Sequence, residues 1–179
     1  MKKHEAELSS SMNLIGQCPV VIVTARHGDL DLGMPVAWIM GSDYDPPRIA
    51  MTLGKWNSTY GPLVESKECV INVASKENAR LVFEFGSCHS NLETDKFAKF
   101  GVARTGASLV RAPLVDSCFA SLECRVEKAD EELGLFILKG VKFWLADDYS
   151  PERYHLLHSL GDVLYSDDGE KFAKKDLLK

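Results

Sequence analysis

Apolar residues in this chain fall mostly into short β-branched runs punctuated by proline, glycine and aspartate, with few stripes of helical period. "PVVIVTA" (19–25) begins with a proline and is followed by "HGDLDLG", which predicts a strand and a turn. "MPVAWIMGS" (34–42) predicts a second apolar strand, "DYDPPR" (43–48) an Asp-Pro-Pro turn, and "IAMTL" (49–53) a third strand. Their closeness in sequence favours antiparallel pairing. "ECVINVA" (68–74) reads as a strand of the buried type. "FASLECRVE" (119–127) alternates, predicting a packed face of Ala120, Leu122, Cys124 and Val126 and a wet face of Phe119, Ser121, Glu123, Arg125 and Glu127. "LFILKGVKFWLA" (135–146) predicts its long partner, with Gly140 at a bulge or bend.

Helical spacing is confined to short pieces. Tyr60, Leu63 and Val64 in "TYGPLVESK" (59–67) predict one or two turns entered beside hydroxyl residues suited to an N-cap. "KENARLVFEFG" (76–86) spaces Ala79, Leu81, Val82 and Phe85 along one face, and "SCHSNLETDKFAKFGV" (87–102) reads as a loop with a helical turn. "PERYHLLHSLG" (151–161) predicts a last helix with proline at its first position, before a short extended segment at 162–166. About six strands, few helices, no repeat and no flexible linker predict a mainly β fold: one antiparallel barrel or closed sheet with peripheral helices. A single domain is expected over 1–179, its core at about 14–166.

Composition narrows the function classes. Of 179 residues, 45% are hydrophobic and 26% charged, which suits a folded globular chain and not a disordered one. The net charge of −5 comes with no basic stripe to neutralise phosphates in a row, so nucleic acid is not an expected partner. No apolar run approaches the ~20 residues of a membrane-spanning helix, and "MKKHEAELSSS" turns polar instead of entering a signal region. A cytoplasmic location is expected. The five cysteines form no C-x-x-C and leave one over, which points to reduced thiols. His155 and His158 would share a helix face but have no accompanying ligand cluster, so no metal site is assigned. Cys88 and His89 are adjacent, and adjacent side chains usually point apart, which argues against a thiol nucleophile.

One stretch concentrates polar chemistry. In "LGKWNSTY" (53–60) a strand ends at Gly54, where a positive φ would turn the chain, and Lys55, Asn57, Ser58 and Thr59 follow within five positions. Successive amides, a cation and two hydroxyls at a helix entrance resemble an anion cradle. The same residues also read as a plain helix cap with a solvated lysine. It is not a Walker loop, and no G-x-G-x-x-G follows a strand.

The order of motifs adds to this. "GMPVAWIMGSDYDPPRIAMTLGKWNSTYGPLVESKECVINVA", then "DKFAKFGV", then a β-rich half with "SLECRV" and "LFILKGV" resembles the flavin reductase-like family of FMN-binding split barrels, flavoredoxin-like members included. The similarity runs from about Pro19 to Val141. It implies FMN as cofactor, with Val36, Ala37, Trp38, Ile39 and Met40 along the flavin and Thr52, Leu53 and Gly54 beside the ribityl chain. It assigns the phosphate to Lys55, Ser58 and Thr59, and brings Lys96 of the D-K-F loop toward the ring. A homodimer with flavin near the subunit interface is implied as well. The implied activity passes electrons from NAD(P)H through flavin to an acceptor. Where many members carry a histidine in a "G-D-H" setting, this chain has Gly134 and Leu135 in "EELGLFIL". That leaves open a flavoredoxin-like carrier fed by a redox protein, and a split barrel holding another ligand such as haem.

Overall fold

The computed structural model describes residues 18–88, 92, 94–159 and 165–167; the N-terminal segment, His89 and the C-terminal tail lie outside the described residues. The chain forms β1 (Val21–His27), β2 (Leu30–Val36), β3 (Ile39–Tyr44), β4 (Pro47–Thr52), α1 (Tyr60–Ser66) and β5 (Glu68–Val73). A 3-10 turn then leads into α2 (Ala79–Ser87), α3 (Lys96–Phe100), β6 (Arg104–Gly106), β7 (Pro113–Val115), β8 (Ala120–Asp130), β9 (Leu135–Leu145), β10 (Leu157–Ser159) and β11 (Tyr165–Asp167).

Seven strands make one antiparallel sheet in the order β2-β1-β5-β8-β9-β4-β3. Its two edges, β2 and β3, are consecutive in sequence and joined only by Ala37 and Trp38. The sheet therefore curls until its edges meet, and Thr52 N–H donates to the Trp38 carbonyl at 3.1 Å beside the join. Inside, Val23, Ile39, Met51, Ile71, Cys124, Phe136 and Leu138 share one core. Tyr60 and Leu63 of α1 belong to it, with the Tyr60 ring edge-on to Phe136 at 5.5 Å. Outside, α2 and α3 cover β1 and β2 through Phe85 and Phe97, whose rings meet edge-on at 5.3 Å. Gly33 of β2 makes room for them, since a β-carbon there would lie 2.7 Å from the Phe85 ring.

Several expectations change. The run 34–42 is two strands broken at Ala37 and Trp38, because the chain there passes from one sheet edge to the other. The wet face of β8 is wet only toward its far end: Phe119, Ser121 and Glu123 are buried. The physical reason is the segment 107–115, which crosses this face and is pinned by buried acceptors. Glu123 takes hydrogen bonds from Ser108 N–H at 3.0 Å, Leu109 N–H at 2.6 Å and Trp144 Nε1 at 2.8 Å. Asn72 Oδ1 takes them from Val115 N–H at 2.9 Å and Ser121 Oγ at 2.7 Å. Alternation alone does not reveal such a cover.

Where a helix is expected at 151–161, residues 151–159 form a turn followed by β10, and 160–164 lie outside the described residues. The backbone of this segment is taken up by pairing, with Val20 N–H donating to Leu157 O at 2.7 Å and Lys76 N–H to His155 O at 3.1 Å, while Leu157 is buried in the outer core. His155 and His158 consequently do not share a helix face. Other expectations are met. Glu123 pairs with Lys142 and Cys124 with Gly140, leaving Val141 as the extra residue of a bulge. A β-carbon on Gly140 would press on Leu122 and Pro47 at 3.1–3.3 Å.

Candidate functional site

The join between β2 and β3 opens onto a cleft of about 960 Å³, within the range of small-molecule sites. Its walls come from 34–38, 52–57 and 131–134, with Ser159. Three local features build it. Ala37 and Trp38 fall between β2 and β3, outside both ladders, so backbone borders the cleft there. After β4 the chain makes two successive turns, Asn57 N–H to Gly54 O and Tyr60 N–H to Asn57 O, each 3.0 Å, and enters α1. Opposite, the β8–β9 turn is tied by Asp130 Oδ1, which accepts from the amides of Glu132 and Leu133, both at 3.0 Å.

Gly54 serves a different purpose from the one its place in the sequence suggests. Its φ is not positive; among the described residues that conformation is found at Gly28, Lys67, Gly101 and Gly134. A β-carbon at 54 would instead overlap the Trp56 indole, which folds back over the glycine while remaining 88% exposed. The cradle of free amides is also narrower than expected, since the amides of Asn57 and Tyr60 are used inside the loop. Lys55 borders the cleft and is exposed. Ser58 is half-buried at the head of α1, and Thr59 is fully buried with its hydroxyl lacking a hydrogen-bond partner. Thr52 lines the cleft and its Oγ1 is likewise buried and unpaired.

Of the residues singled out in sequence, Val36, Ala37, Trp38, Thr52, Leu53, Gly54 and Lys55 line this cleft. Ile39 points into the barrel and Met40 outward, 59% exposed. Lys96 is not brought to the cleft. It is 5% exposed and its ammonium donates to the Phe85 carbonyl at 2.7 Å, in the layer of α2 and α3 behind β2. Burial holds its pKa below the ordinary lysine value, and nearby Lys99 adds to this. Asp95 caps α3, accepting from Ala98 N–H at 3.0 Å, and pairs with Arg104 at 3.2 Å. Phe97 is core.

Sequence reasoning missed the 131–134 wall, Met34 and Trp56. "DEELG" carried a usable signal, an aspartate turn ending in a glycine. Gly134 has φ +64° and its carbonyl accepts from Leu53 N–H at 2.9 Å, so it stitches the two walls together. The Tyr60 hydroxyl is buried without a partner, and its pKa is raised by burial and by the charges of Glu131 and Asp130. Among the described residues, no three His, Cys, Asp or Glu side chains gather as metal ligands, and no helix is long and apolar enough to cross a membrane.

Comparison with known proteins places this architecture. The chain is similar to flavoredoxin of Desulfovibrio vulgaris (Miyazaki F), with a TM-score of 0.86, 22% identity and 97% of each chain covered. It is similar to an FMN-binding domain of a flavin reductases-like enzyme from Shewanella baltica OS155, with a TM-score of 0.79, 25% identity, and 94% and 95% covered. In sequence it is 24% identical to the uncharacterized protein YddH of Escherichia coli K12, over 92% of this chain and 94% of that protein. The split barrel expected from the sequence is thus the fold observed. The sequence model of the flavin reductase like domain matches residues 17–169, most of the chain, and the protein accordingly belongs to the flavin reductase-like family.

Proposed function

We propose that the protein is an FMN-dependent oxidoreductase that passes electrons from NAD(P)H through flavin to an acceptor. The observation that carries this is the meeting of 34–38 with 52–57 around one cleft, in a chain of the flavin reductase-like family. The residues fit the cofactor in three respects. The cleft has the volume of a cofactor site. Thr52 offers a buried hydroxyl in want of a partner, and such a group costs about 1–3 kcal/mol when left unpaired. Lys55 supplies a cation on the wall where an anionic tail would lie, while Glu131 and Glu132 repel it from the opposite wall. In this arrangement Val36, Ala37 and Trp38 border the ring, Thr52, Leu53 and Gly54 the ribityl chain, and Lys55, Ser58 and Thr59 the phosphate. Reaching Thr59 requires the head of α1 to open slightly, since its hydroxyl is enclosed. Bound FMN supplies the redox chemistry; the protein holds it, orients one face and excludes water.

The test is spectroscopic. Purified protein should be yellow or take up FMN stoichiometrically, and NADH or NADPH should bleach the bound flavin without oxygen. A colourless protein that takes up no FMN would sink the proposal.

A second function is favoured by the mouth of the cleft. Glu131 and Glu132 stand there, no histidine among the described residues lines the cleft, and Gly134 occupies the wall. Two carboxylates disfavour a dinucleotide with its phosphates, which supports a flavoredoxin-like carrier reduced by another protein. Such a carrier would bind FMN, be reduced slowly by nicotinamides and rapidly by a protein donor. A cytoplasmic homodimer is part of the proposal, and exposed Phe143 and Leu145 on β9 are apolar surface that a second copy would cover.

A further inference from the structure

Three exposed apolar side chains stand side by side at the mouth of the cleft, and the backbone explains why. β4 ends at Thr52, whose N–H donates to Trp38 O at 3.1 Å on one flank, and the next residue, Leu53, donates to Gly134 O at 2.9 Å on the other. The start of β3, the end of β4 and the start of β9 are thereby stitched into one rim. That rim carries Trp38 at 63% exposure, Leu133 at 69% and the exposed Trp56 indole folded over Gly54. Large apolar groups gathered in water at one place mark an interaction surface, and tryptophan is the residue type that most often anchors one. Charge identifies what covers it. Of the described residues that line the cleft, Lys55, Glu131 and Glu132 are the charged ones, and both glutamates are exposed next to Leu133. The phosphate of FMN, at about −1.5 to −2 near neutral pH, more than cancels Lys55. The loaded mouth is then an apolar rim with net negative charge, in a chain of net charge −5.

We propose that this rim is the docking surface for a one-electron redox protein with a positively charged face, the partner that exchanges electrons with the flavin. Lysines or arginines of the partner meet Glu131 and Glu132, while Trp38, Leu133 and Trp56 supply the contact area. A small contact, under about 1,200 Å², suits a fast and transient encounter, and opposite charges on the two rims speed it. Two such carriers, each giving up one electron, together with two protons from water, reduce one flavin. An acidic carrier is turned away by the same two carboxylates. The electron-transfer role rests on the flavin assignment and on the carrier reading of it, whereas docking of a basic protein on this rim does not.

The probe is cytochrome c, a basic one-electron haem protein, with an acidic plant-type ferredoxin as its counterpart. Calorimetric titration into the purified protein, without FMN and with saturating FMN, should show saturable binding of cytochrome c at ~10 mM salt that is lost at ~0.3 M. Ferredoxin should not bind. FMN should tighten cytochrome c about two- to fivefold by cancelling Lys55. Glu131→Gln/Glu132→Gln should weaken it at least about fivefold. Asp29→Asn/Glu65→Gln removes the same charge from exposed positions around the β1–β2 turn, at the opposite end of β2 from the cleft, and should weaken it less than about twofold. Leu133→Ser, at an exposed position, should weaken it about three- to tenfold. In stopped flow, FMN-loaded protein reduced with dithionite should pass two electrons per flavin to two ferric haems, releasing two protons, at a rate that falls with salt and in the Glu131/Glu132 variant. Equal losses in the two double variants would reduce the effect to overall charge and overturn the proposal, as would binding of ferredoxin. So would absent binding of cytochrome c; a dimer that Leu133→Ser splits into monomers in sedimentation would then make the rim a contact between copies. Failure of FMN uptake, with cytochrome c binding intact, would instead remove only the electron-transfer role.

Discussion

Gly134 and Leu53 meet backbone to backbone. Leu53 N–H donates to the Gly134 carbonyl at 2.9 Å, and a β-carbon on Gly134 would overlap the Leu53 carbonyl oxygen. Gly134 also sits at φ +64°, where an L side chain is strained. Neither the oxygen nor the turn can yield cheaply, so Gly134→Ala should cost about 1–3 kcal/mol in denaturant unfolding and weaken FMN. Gly54→Ala makes the informative contrast. The nearest atoms to its new methyl all belong to the Trp56 ring, which is exposed and free to swing away, so stability should fall by less than about 1 kcal/mol while tryptophan emission shifts. Equal losses for the two variants would contradict the distinction.

Glu123 makes the fold depend on acid. Burial pushes its carboxyl up, but the hydrogen bonds from Ser108 N–H, Trp144 Nε1, Leu109 N–H and Val110 N–H together outweigh burial and hold it below the usual glutamate value. With a folded pKa below the unfolded one, the ionised carboxylate stabilises the protein fully above the ordinary glutamate range, near ~4.3, and that contribution is lost as pH falls through the folded value. Glu123→Gln should therefore cost about 1.5–3 kcal/mol at neutral pH, and the gap to wild type should close in acid. A gap that is constant from neutral pH to below the glutamate range would exclude this role.

Cys69 and Cys124 are cross-strand partners and both fully buried. Contact with Cys69, together with burial, pushes the Cys124 thiol up, and burial pushes Cys118 up to about 12. A thiol reagent at mildly alkaline pH should modify half-buried Cys18 and Cys88 in the native protein, react slowly with half-buried Cys118, whose raised pKa leaves little thiolate, and reach Cys69 and Cys124 only on unfolding. Rapid native labelling of Cys124 would show that the barrel interior opens readily.

Much of this was legible in the sequence for identifiable reasons. β1, β4, β5 and the β8–β9 pair announce themselves because β-branched runs are bounded by turn residues, and Gly140 marks a bulge because a missing side chain inside a strand usually has a packing cause. The wall formed by 52–57 was visible because its donors are contiguous. What was not visible depends on segments distant in sequence. The break at Ala37 and Trp38 exists because β2 and β3 are opposite edges of one sheet. Glu123 is buried because 107–115 lies over it, and Gly134 matters because Leu53 lies against it. Lys96 illustrates the converse, since a lysine in a promising motif spends its charge on the Phe85 carbonyl in the helical layer.

In the proposed mode of binding, the loop after β4 holds the anionic tail of FMN. Calorimetric titration of wild type, Lys55→Ala and Lys55→Ala/Thr59→Val with FMN and with riboflavin tests it most directly, because only FMN carries a phosphate. The double variant should bind FMN at least about tenfold more weakly, with riboflavin nearly unaffected. Equal loss for both ligands would contradict it.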